Sequence, residues 1–272
     1  MRNNNLFSHA LNCPVVVAAF TFYCSIAEER LRSISRNFSD RWTADATVRG
    51  PRSPLAKLHR FWHGFVMAQG SLLEQPVVVH TRPAIDMDDE QFFQFCQVNR
   101  DLQIERSAEG DILIMAPEGG SSGFGSSKLN MIFGVWAERD GGGRIFGSST
   151  GFLLPNGAVR SPDVAWVRNE RLDALTDQEW HRFLPLCPEF VLELRSPSDA
   201  MPALHRKMEE YRENGAHLGW LLDPASKQVH IYRPGAPVEL LDDPVTLSAQ
   251  PLLRGFVLEV RQIWAAMQRK KS

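Results

Sequence analysis

Two short apolar runs of the sequence each carry one carboxylate at a defined position. Asp163 directly precedes the run at 164–167, and Glu193 lies inside the run at 190–194. Short apolar runs bounded by Pro, Asn or Ser are typical of buried strands. A charge on such a strand is costly unless it is compensated, and two carboxylates on neighbouring strands can hold a divalent metal against a phosphate. The pattern therefore predicts a metal-dependent site for phosphodiester hydrolysis.

The neighbours of Glu193 add a third ligand and a cation to this predicted site. Mg²⁺ keeps several of its waters, so Asp163, Glu193 and the backbone carbonyl of Leu194 would be enough protein ligands. Arg195 follows Glu193 by two residues, and the period-two alternation of a strand puts both side chains on one face. Its guanidinium stays protonated and cannot act as a base, but it can hold a phosphate oxygen or Glu193 itself.

The same residues also allow a purely structural interpretation. Asp163 would then cap the end of a strand, while Glu193 and Arg195 would form an ion pair on a sheet face. Lys207 would be a solvated residue of the helix that follows. A single charged residue usually has such a role. Three of them together, two on apolar strands, favour the metal site.

The order of these residues resembles a known superfamily. Pro162-Asp163, followed about thirty residues later by Glu193-x-Arg195, resembles the PD-(D/E)XK nucleases. A longer string is similar to the Uma2 family of endonucleases, from roughly residue 77 to the C-terminus. It comprises Glu-Leu-Arg-Ser-Pro-Ser-Asp at 193–199, Lys-Met-Glu-Glu-Tyr at 207–211 and Gly-Trp-Leu-Leu-Asp-Pro at 219–224. The resemblance implies a Mg²⁺-dependent endonuclease, with Mn²⁺ as a possible substitute.

The resemblance also implies roles for individual residues. The superfamily commonly has Lys two residues after the Glu, where this chain has Arg195. The resemblance implies that Lys207, on the following helix, supplies the displaced amine, and that Arg195 holds a phosphate or Glu193. An acidic residue in the strand at 102–107, here Glu105, is often grouped with the site. An exposed strand position explains Glu105 equally well.

The periodicity predicts the elements that position these residues. The fold class is α/β, with a restriction-endonuclease-like mixed, strongly curved sheet flanked by helices and the carboxylates at one end. Four helices are predicted. The first spans 86–99, and the second follows the glycine-rich residues 117–128 and ends near 139. The third runs from a cap at Ser198 or Asp199 to 214, and the fourth lies at the C-terminus. Strands are predicted at 102–107, 111–116, 144–148, 151–154, 163–167, 190–194, 217–223, 228–233 and 256–260. The glycine-rich residues 117–128 lack the Lys-Ser/Thr of a phosphate-binding loop, so we interpret them as a flexible connector at the rim of the site.

The N-terminal part differs from the rest. Residues 1–66 lack sustained periodicity, and the resemblance begins after Met67. We therefore predict an extension over 1–70, poorly ordered or not native, and one nuclease-like domain over 71–272. A signal peptide is an alternative, because the apolar run at 14–23 precedes Ser25-Ile26-Ala27. His59 and His63 have the i, i+4 spacing of zinc ligands but no Glu between them, which argues against a metal there.

Charge and cysteine content bear on partners and compartment. Residues 1–66 hold nine Lys/Arg against four Asp/Glu, so the remainder holds 21 against 28, a net charge of −7. A negative domain needs metal and a local basic patch to approach a phosphate backbone. Four scattered cysteines indicate reduced thiols and a cytoplasmic protein. No apolar run is long enough to span a membrane.

The sequence thus leaves three functions open. The first is an endonuclease acting on nucleic acid, with DNA as the expected target and a homodimer as a possible assembly. The second is a weak or inactive module that binds nucleic acid or another partner on the same fold, which the Arg195 departure and the acidic balance favour. The third is hydrolysis of another phosphodiester.

Overall fold

A computed structural model describes residues 76–268. The strands are β1 (Val77–Val79), β2 (Gln103–Arg106), β3 (Ile112–Met115), β4 (Gly143–Gly147), β5 (Phe152–Leu153), β6 (Val159–Arg160), β7 (Val164–Arg168), β8 (Phe190–Leu194), β9 (Leu218–Asp223), β10 (Gln228–Tyr232), β11 (Glu239–Asp242), β12 (Thr246–Ser248) and β13 (Val257–Glu259). The helices are α1 (Asp89–Val98), α2 (Gly120–Asp140), α3 (Asn169–Leu172), α4 (Asp177–Trp180), α5 (Met201–Glu213) and α6 (Val260–Met267).

A six-stranded mixed sheet forms the centre of this fold. Its order is β11-β10-β9-β8-β7-β4; β8 and β9 are parallel, and the other pairs are antiparallel. In the β7–β8 pair, Val164 lies opposite Leu192. One further step of this register places Asp163 opposite Glu193, so the two predicted carboxylates meet where β7 begins.

The two faces of the central sheet bury different layers. Phe190, Leu192 and Leu194 of β8 belong to the core beneath α2 and α6. Val191, between them, belongs to the core beneath α5. Because side chains alternate along a strand, Glu193 faces the α5 side. Glu193, the one charged residue of β8, therefore faces α5, the helix that carries Lys207.

A second sheet brings further charged residues to the same place. It is antiparallel, in the order β1-β3-β2-β6-β5, with β12 and β13 forming a separate pair. β2 carries Glu105 and β6 carries Arg160. Only Ser161, Pro162 and Asp163 connect β6 to β7 of the central sheet. The predicted mixed α/β fold is confirmed, but its strands are divided among three sheets because the chain changes sheet at this short link.

Helix α2 corrects the prediction of a flexible connector over 117–128. The helix begins at Gly120, so most of that stretch is regular structure. A Cβ on Gly125 would lie 2.8 Å from Leu194 Cδ2 and 3.0 Å from Met267 Cγ. The glycine therefore serves close packing of α2 against the central sheet and α6.

We expect Gly125→Val to lower the free energy of unfolding by about 1–3 kcal/mol, because the added atoms overpack this contact. Gly134, in the same helix, is the matched control, since a Cβ there would meet nothing within 4 Å. Gly134→Ala should be neutral or stabilising by up to about 1 kcal/mol. Urea unfolding of both variants measures the difference. A Gly125→Val protein as stable as wild type would contradict the packing argument.

Other boundaries also differ from expectation. The cap of α5 is Ala200, without a side-chain hydrogen bond, because Asp199 Oδ2 instead accepts from the Ser196 N–H at 2.7 Å. β11 and β12 were not predicted, because β11 lacks the alternation of a half-buried strand and β12 has only three residues. The predictions for residues 1–70, including the run at 14–23 and His59 and His63, lie outside the described residues. No described helix is both long and apolar enough to cross a membrane.

Candidate active site

Asp163 lies at the junction of three elements. Its Oδ2 accepts a hydrogen bond from the Leu194 N–H of β8 at 2.7 Å. Its backbone carbonyl accepts from Nδ2 of Asn130 on α2 at 3.0 Å. The sheet and the helix thus fix both the backbone and the carboxylate of Asp163.

Lys207 joins two buried carboxylates that come from different sheets. Its Nζ is 2.9 Å from Oε1 of Glu105 and 2.9 Å from Oε1 of Glu193. The interpretation of Glu105 as an exposed strand residue is therefore wrong, since its side chain is buried in contact with Lys207. Three of the predicted residues meet here, from β2, β8 and α5.

Two further residues complete this cluster. The Tyr211 hydroxyl, one helical turn after Lys207, donates to Oε1 of Glu193 at 3.1 Å. Arg160 donates from Nη1 to Oε2 of Glu105 at 3.2 Å, and the Ser161 N–H donates to Oε1 at 2.9 Å. Tyr211 was named only as part of the family string at 207–211, and Arg160 was not predicted as a site residue. The i, i+4 spacing from Lys207 was the available signal for Tyr211.

Arg195 makes its contacts away from this cluster. Its Nη1 donates to both carboxylate oxygens of Asp223, at 3.1 and 2.9 Å, and its Nε donates to the Asp199 carbonyl at 3.3 Å. Within residues 76–268, no hydrogen bond or salt bridge joins Arg195 to Glu193 or Asp163. Asp223, at the end of β9, is a partner that the sequence analysis did not identify.

The charges of the cluster follow from these contacts. Burial lowers the pKa of Lys207, but the carboxylates of Glu105 and Glu193 outweigh that effect and raise it above its usual value. Burial raises the pKa of Glu105, yet Lys207 and Arg160 bring it below normal. A protonated Lys207 beside an ionised Glu105 is the result.

The other two carboxyl groups behave in the opposite way. Burial raises the pKa of Asp163 well above its ordinary value, and the charge of Glu193 raises it further. Burial also raises the pKa of Glu193, although Lys207 opposes this. The carboxylates of Asp163 and Glu193 are therefore held close together, with too little positive charge nearby to offset burial and their mutual repulsion.

Comparison with known proteins places this chain in a family. The model of the Uma2 family, described as "Putative restriction endonuclease", matches residues 89–261, which is more than half of the chain. The chain belongs to the Uma2 family. The matched segment includes Glu105, Asp163, Glu193 and Lys207.

The fold of this Uma2 chain is similar to a solved structure. The crystal structure of a protein from Anabaena variabilis ATCC 29413, described as a putative nuclease belonging to DUF820, aligns with a TM-score of 0.53 and 17% identity. The alignment covers 61% of this chain and 91% of that one. A comparison with curated proteins found no match.

The carboxylates of the Uma2 site fit a hard divalent cation. Among the described residues, no group of three or more His, Cys, Asp or Glu is arranged to hold a metal. Mg²⁺ does not need such a cage, because it binds through one or two carboxylates and retains waters. Oδ1 of Asp163 and Oε2 of Glu193 accept no hydrogen bond from residues 76–268, so each carboxylate has one oxygen to offer. A cation there would supply the missing positive charge.

We expect Tyr211→Phe to lower the free energy of unfolding by about 1.5–3 kcal/mol, because a hydrogen bond to a charged group is lost. This bond also lowers the pKa of Glu193, so its loss lets protons compete better with a metal. The pH at which Mn²⁺ affinity reaches half of its maximum should therefore be higher in Tyr211→Phe than in wild type. Tyr232→Phe is the control, since that hydroxyl contacts His205. An upward shift of the same size in both variants would contradict the assignment.

Proposed function

We propose that this Uma2 protein is a Mg²⁺-dependent endonuclease that hydrolyses phosphodiester bonds of nucleic acid, with DNA as the target and Mn²⁺ able to replace Mg²⁺. The observation that carries the proposal is the position of Lys207, whose Nζ lies 2.9 Å from the carboxylates of both Glu105 and Glu193. Glu193 in turn lies beside Asp163. A paired carboxylate site with an adjacent fixed cation is what phosphodiester hydrolysis requires.

Asp163 and Glu193 would hold the ion through Oδ1 and Oε2, with the backbone carbonyl of Leu194 as a third ligand. When bound, the ion lowers the pKa of a coordinated water and offsets the charge that develops on the phosphate. The Leu194 N–H fixes Oδ2 of Asp163, so the other oxygen of that carboxylate is held in one orientation. Tyr211 does the same for Glu193.

Lys207 acts as a fixed positive charge and hydrogen-bond donor. Because its pKa is raised, it stays protonated at neutral pH and does not remove a proton from water. It can orient a water or a phosphate oxygen beside Glu193, and Glu105 keeps it charged and in place. Arg195 would contact the phosphate backbone through Nη2, which donates no hydrogen bond within the described residues.

The main alternative is a module that binds nucleic acid without cutting it. The observation in its favour is that Arg195, at the usual position of the superfamily lysine, is paired with Asp223. The net charge of −7 over residues 67–272 also gives little general attraction to a polyanion.

Nicking of supercoiled plasmid DNA tests the proposal. The full chain is incubated with Mg²⁺ or Mn²⁺, and a parallel reaction contains EDTA. Asp163→Asn should remove cleavage, whereas Asp173→Asn, at an exposed position of the same residue type, should not. Binding of the plasmid without cleavage in either metal would establish the binding module. Cleavage that persists in EDTA or in Asp163→Asn would refute the metal site.

A further inference from the structure

Helix α2 carries a row of five residues on the side away from the central sheet, of which four are exposed and Lys128 is half-buried. Phe124, Met131 and Val135 are 59%, 60% and 50% exposed. Lys128 and Glu138 stand in the same row. The opposite side of the helix, with Leu129 and Phe133, is buried against the central sheet. We call the row formed by residues 124, 128, 131, 135 and 138 the α2 stripe.

The spacing of the α2 stripe is that of a coiled-coil contact. Successive members are four, three, four and three residues apart, which is the a and d pattern of a heptad repeat. The row extends from residue 124 to residue 138, about 21 Å of helix at a rise of roughly 1.5 Å per residue. Residues on any one face of an α-helix are three or four apart, so this spacing gives the stripe a continuous surface along the helix. A second helix can pair with such a surface along its whole length.

We propose that the α2 stripe binds the α2 stripe of a second copy of this chain, with the two helices antiparallel. A two-fold axis at residue 133 places Met131 opposite Val135 of the second copy. The same axis places Lys128 opposite Glu138 of the second copy. The apolar pair thus lies at the centre and an ion pair lies on each side.

The charges select this direction. Among residues 76–268, neither Lys128 nor Glu138 takes part in a salt bridge. A parallel arrangement would put Lys128 against Lys128 and Glu138 against Glu138, which is repulsive. Only the antiparallel arrangement satisfies both charges with the residues that the stripe provides.

The ends of the helix also fit. The same axis directs the Phe124 ring to positions 141 and 142 of the second copy, where α2 ends. Both residues are glycine, and Gly141 has a φ of 69° with open space where a Cβ would be. The aromatic ring therefore meets glycine backbone at Gly141, while at Gly142 the Asp140 carboxylate lies alongside and accepts from the Gly142 N–H at 3.2 Å. Because the paired segment is short, the dimer should dissociate on dilution.

Sedimentation velocity of the full chain over a wide concentration range tests the proposal. Wild type should pass from monomer to dimer as concentration rises. Val135→Glu should raise the dissociation constant about tenfold or more, because it places a carboxylate in the apolar centre. Val257→Glu is the matched control, because Val257 is 52% exposed and lies on β13. It should leave the dissociation constant unchanged.

Charge reversal tests the direction. Lys128→Glu and Glu138→Lys should each weaken the dimer, and the double variant should restore it, since the opposed pairs regain opposite signs. Wild type that stays monomeric throughout would overturn the proposal. An equal effect of Val135→Glu and Val257→Glu would also overturn it. Failure of the double variant to restore association would rule out the antiparallel register. None of these outcomes depends on whether the protein cleaves nucleic acid.

Discussion

Replacing Lys207 with Met is expected to reduce cleavage by about three orders of magnitude or more while leaving substrate binding in Ca²⁺ nearly unchanged. The substitution keeps the length of the side chain and removes an ammonium group 2.9 Å from two carboxylates. Single-turnover cleavage and binding, measured separately, distinguish loss of the chemical step from loss of affinity.

Arg195→Met is the control for the same reaction. Arg195 is paired with Asp223, so we expect it to contribute to binding and to leave residual turnover. Strong loss of turnover in Arg195→Met, with little change in Lys207→Met, would return the catalytic cation to the position usual in the superfamily. It would make Lys207 a structural residue.

Lys207→Met also affects stability, and this must be separated from catalysis. Without the lysine, Glu105 and Glu193 face each other as buried charges, which should cost about 3–5 kcal/mol. Adding Glu105→Gln to the variant removes one of these charges. The double variant should therefore regain stability to urea but not activity. Recovery of cleavage in the double variant would show that the loss came from unfolding.

Asp163→Asn is expected to have opposite effects on function and on stability. It should abolish cleavage, yet make the metal-free protein more stable at neutral pH. The folded pKa of Asp163 lies above the unfolded value, so the folded state binds more protons between the two values. The contribution of Asp163 to stability therefore falls as pH rises through that window, and it is unfavourable above it. Asparagine removes the charge but can still accept the Leu194 hydrogen bond.

Urea unfolding in EDTA and in Mn²⁺ measures both effects. At neutral pH, wild type should gain stability from Mn²⁺ and Asp163→Asn should not, because binding to the folded state alone stabilises it. In EDTA, the advantage of Asp163→Asn should shrink as pH is lowered toward the unfolded pKa. Asp173→Asn should behave like wild type throughout. Equal stabilisation of Asp163→Asn and wild type by Mn²⁺ would show that Asp163 is not a ligand.

The sequence was sufficient for the parts of the site that lie on strongly periodic elements. Glu193 is a single charge in an apolar strand, and the alternation around it predicted its face. Asp163 follows from the neighbouring strand, and Lys207 from the family string. Asp163 and Glu193 are close because β7 and β8 pair, and Lys207 reaches Glu193 from α5. Each of these elements has a clear pattern within a short stretch of sequence.

The contacts that were missed depend on pairing between strands that are distant in the sequence. Glu105 and Arg160 lie 55 positions apart and meet only because β2 and β6 pair. The partnership of Arg195 and Asp223 depends on the parallel β8–β9 pair. Composition also misled at Gly125, where small size serves close packing and was interpreted as flexibility. None of these features has a signature within one stretch of sequence.

The three-residue link from β6 to β7 has a consequence for the order in which the site assembles. Arg160 and the Ser161 N–H hold Glu105 on the small sheet, while Asp163 is held by Leu194 of the central sheet. Lys207 joins the two sets through Glu105 and Glu193. In a newly made chain whose sheets have not yet docked, Asp163 and Glu193 can already be opposed in the central sheet, but Lys207 lacks its second carboxylate partner, Glu105. Docking of the small sheet is therefore the step that fixes the Lys207 ammonium group between two carboxylates.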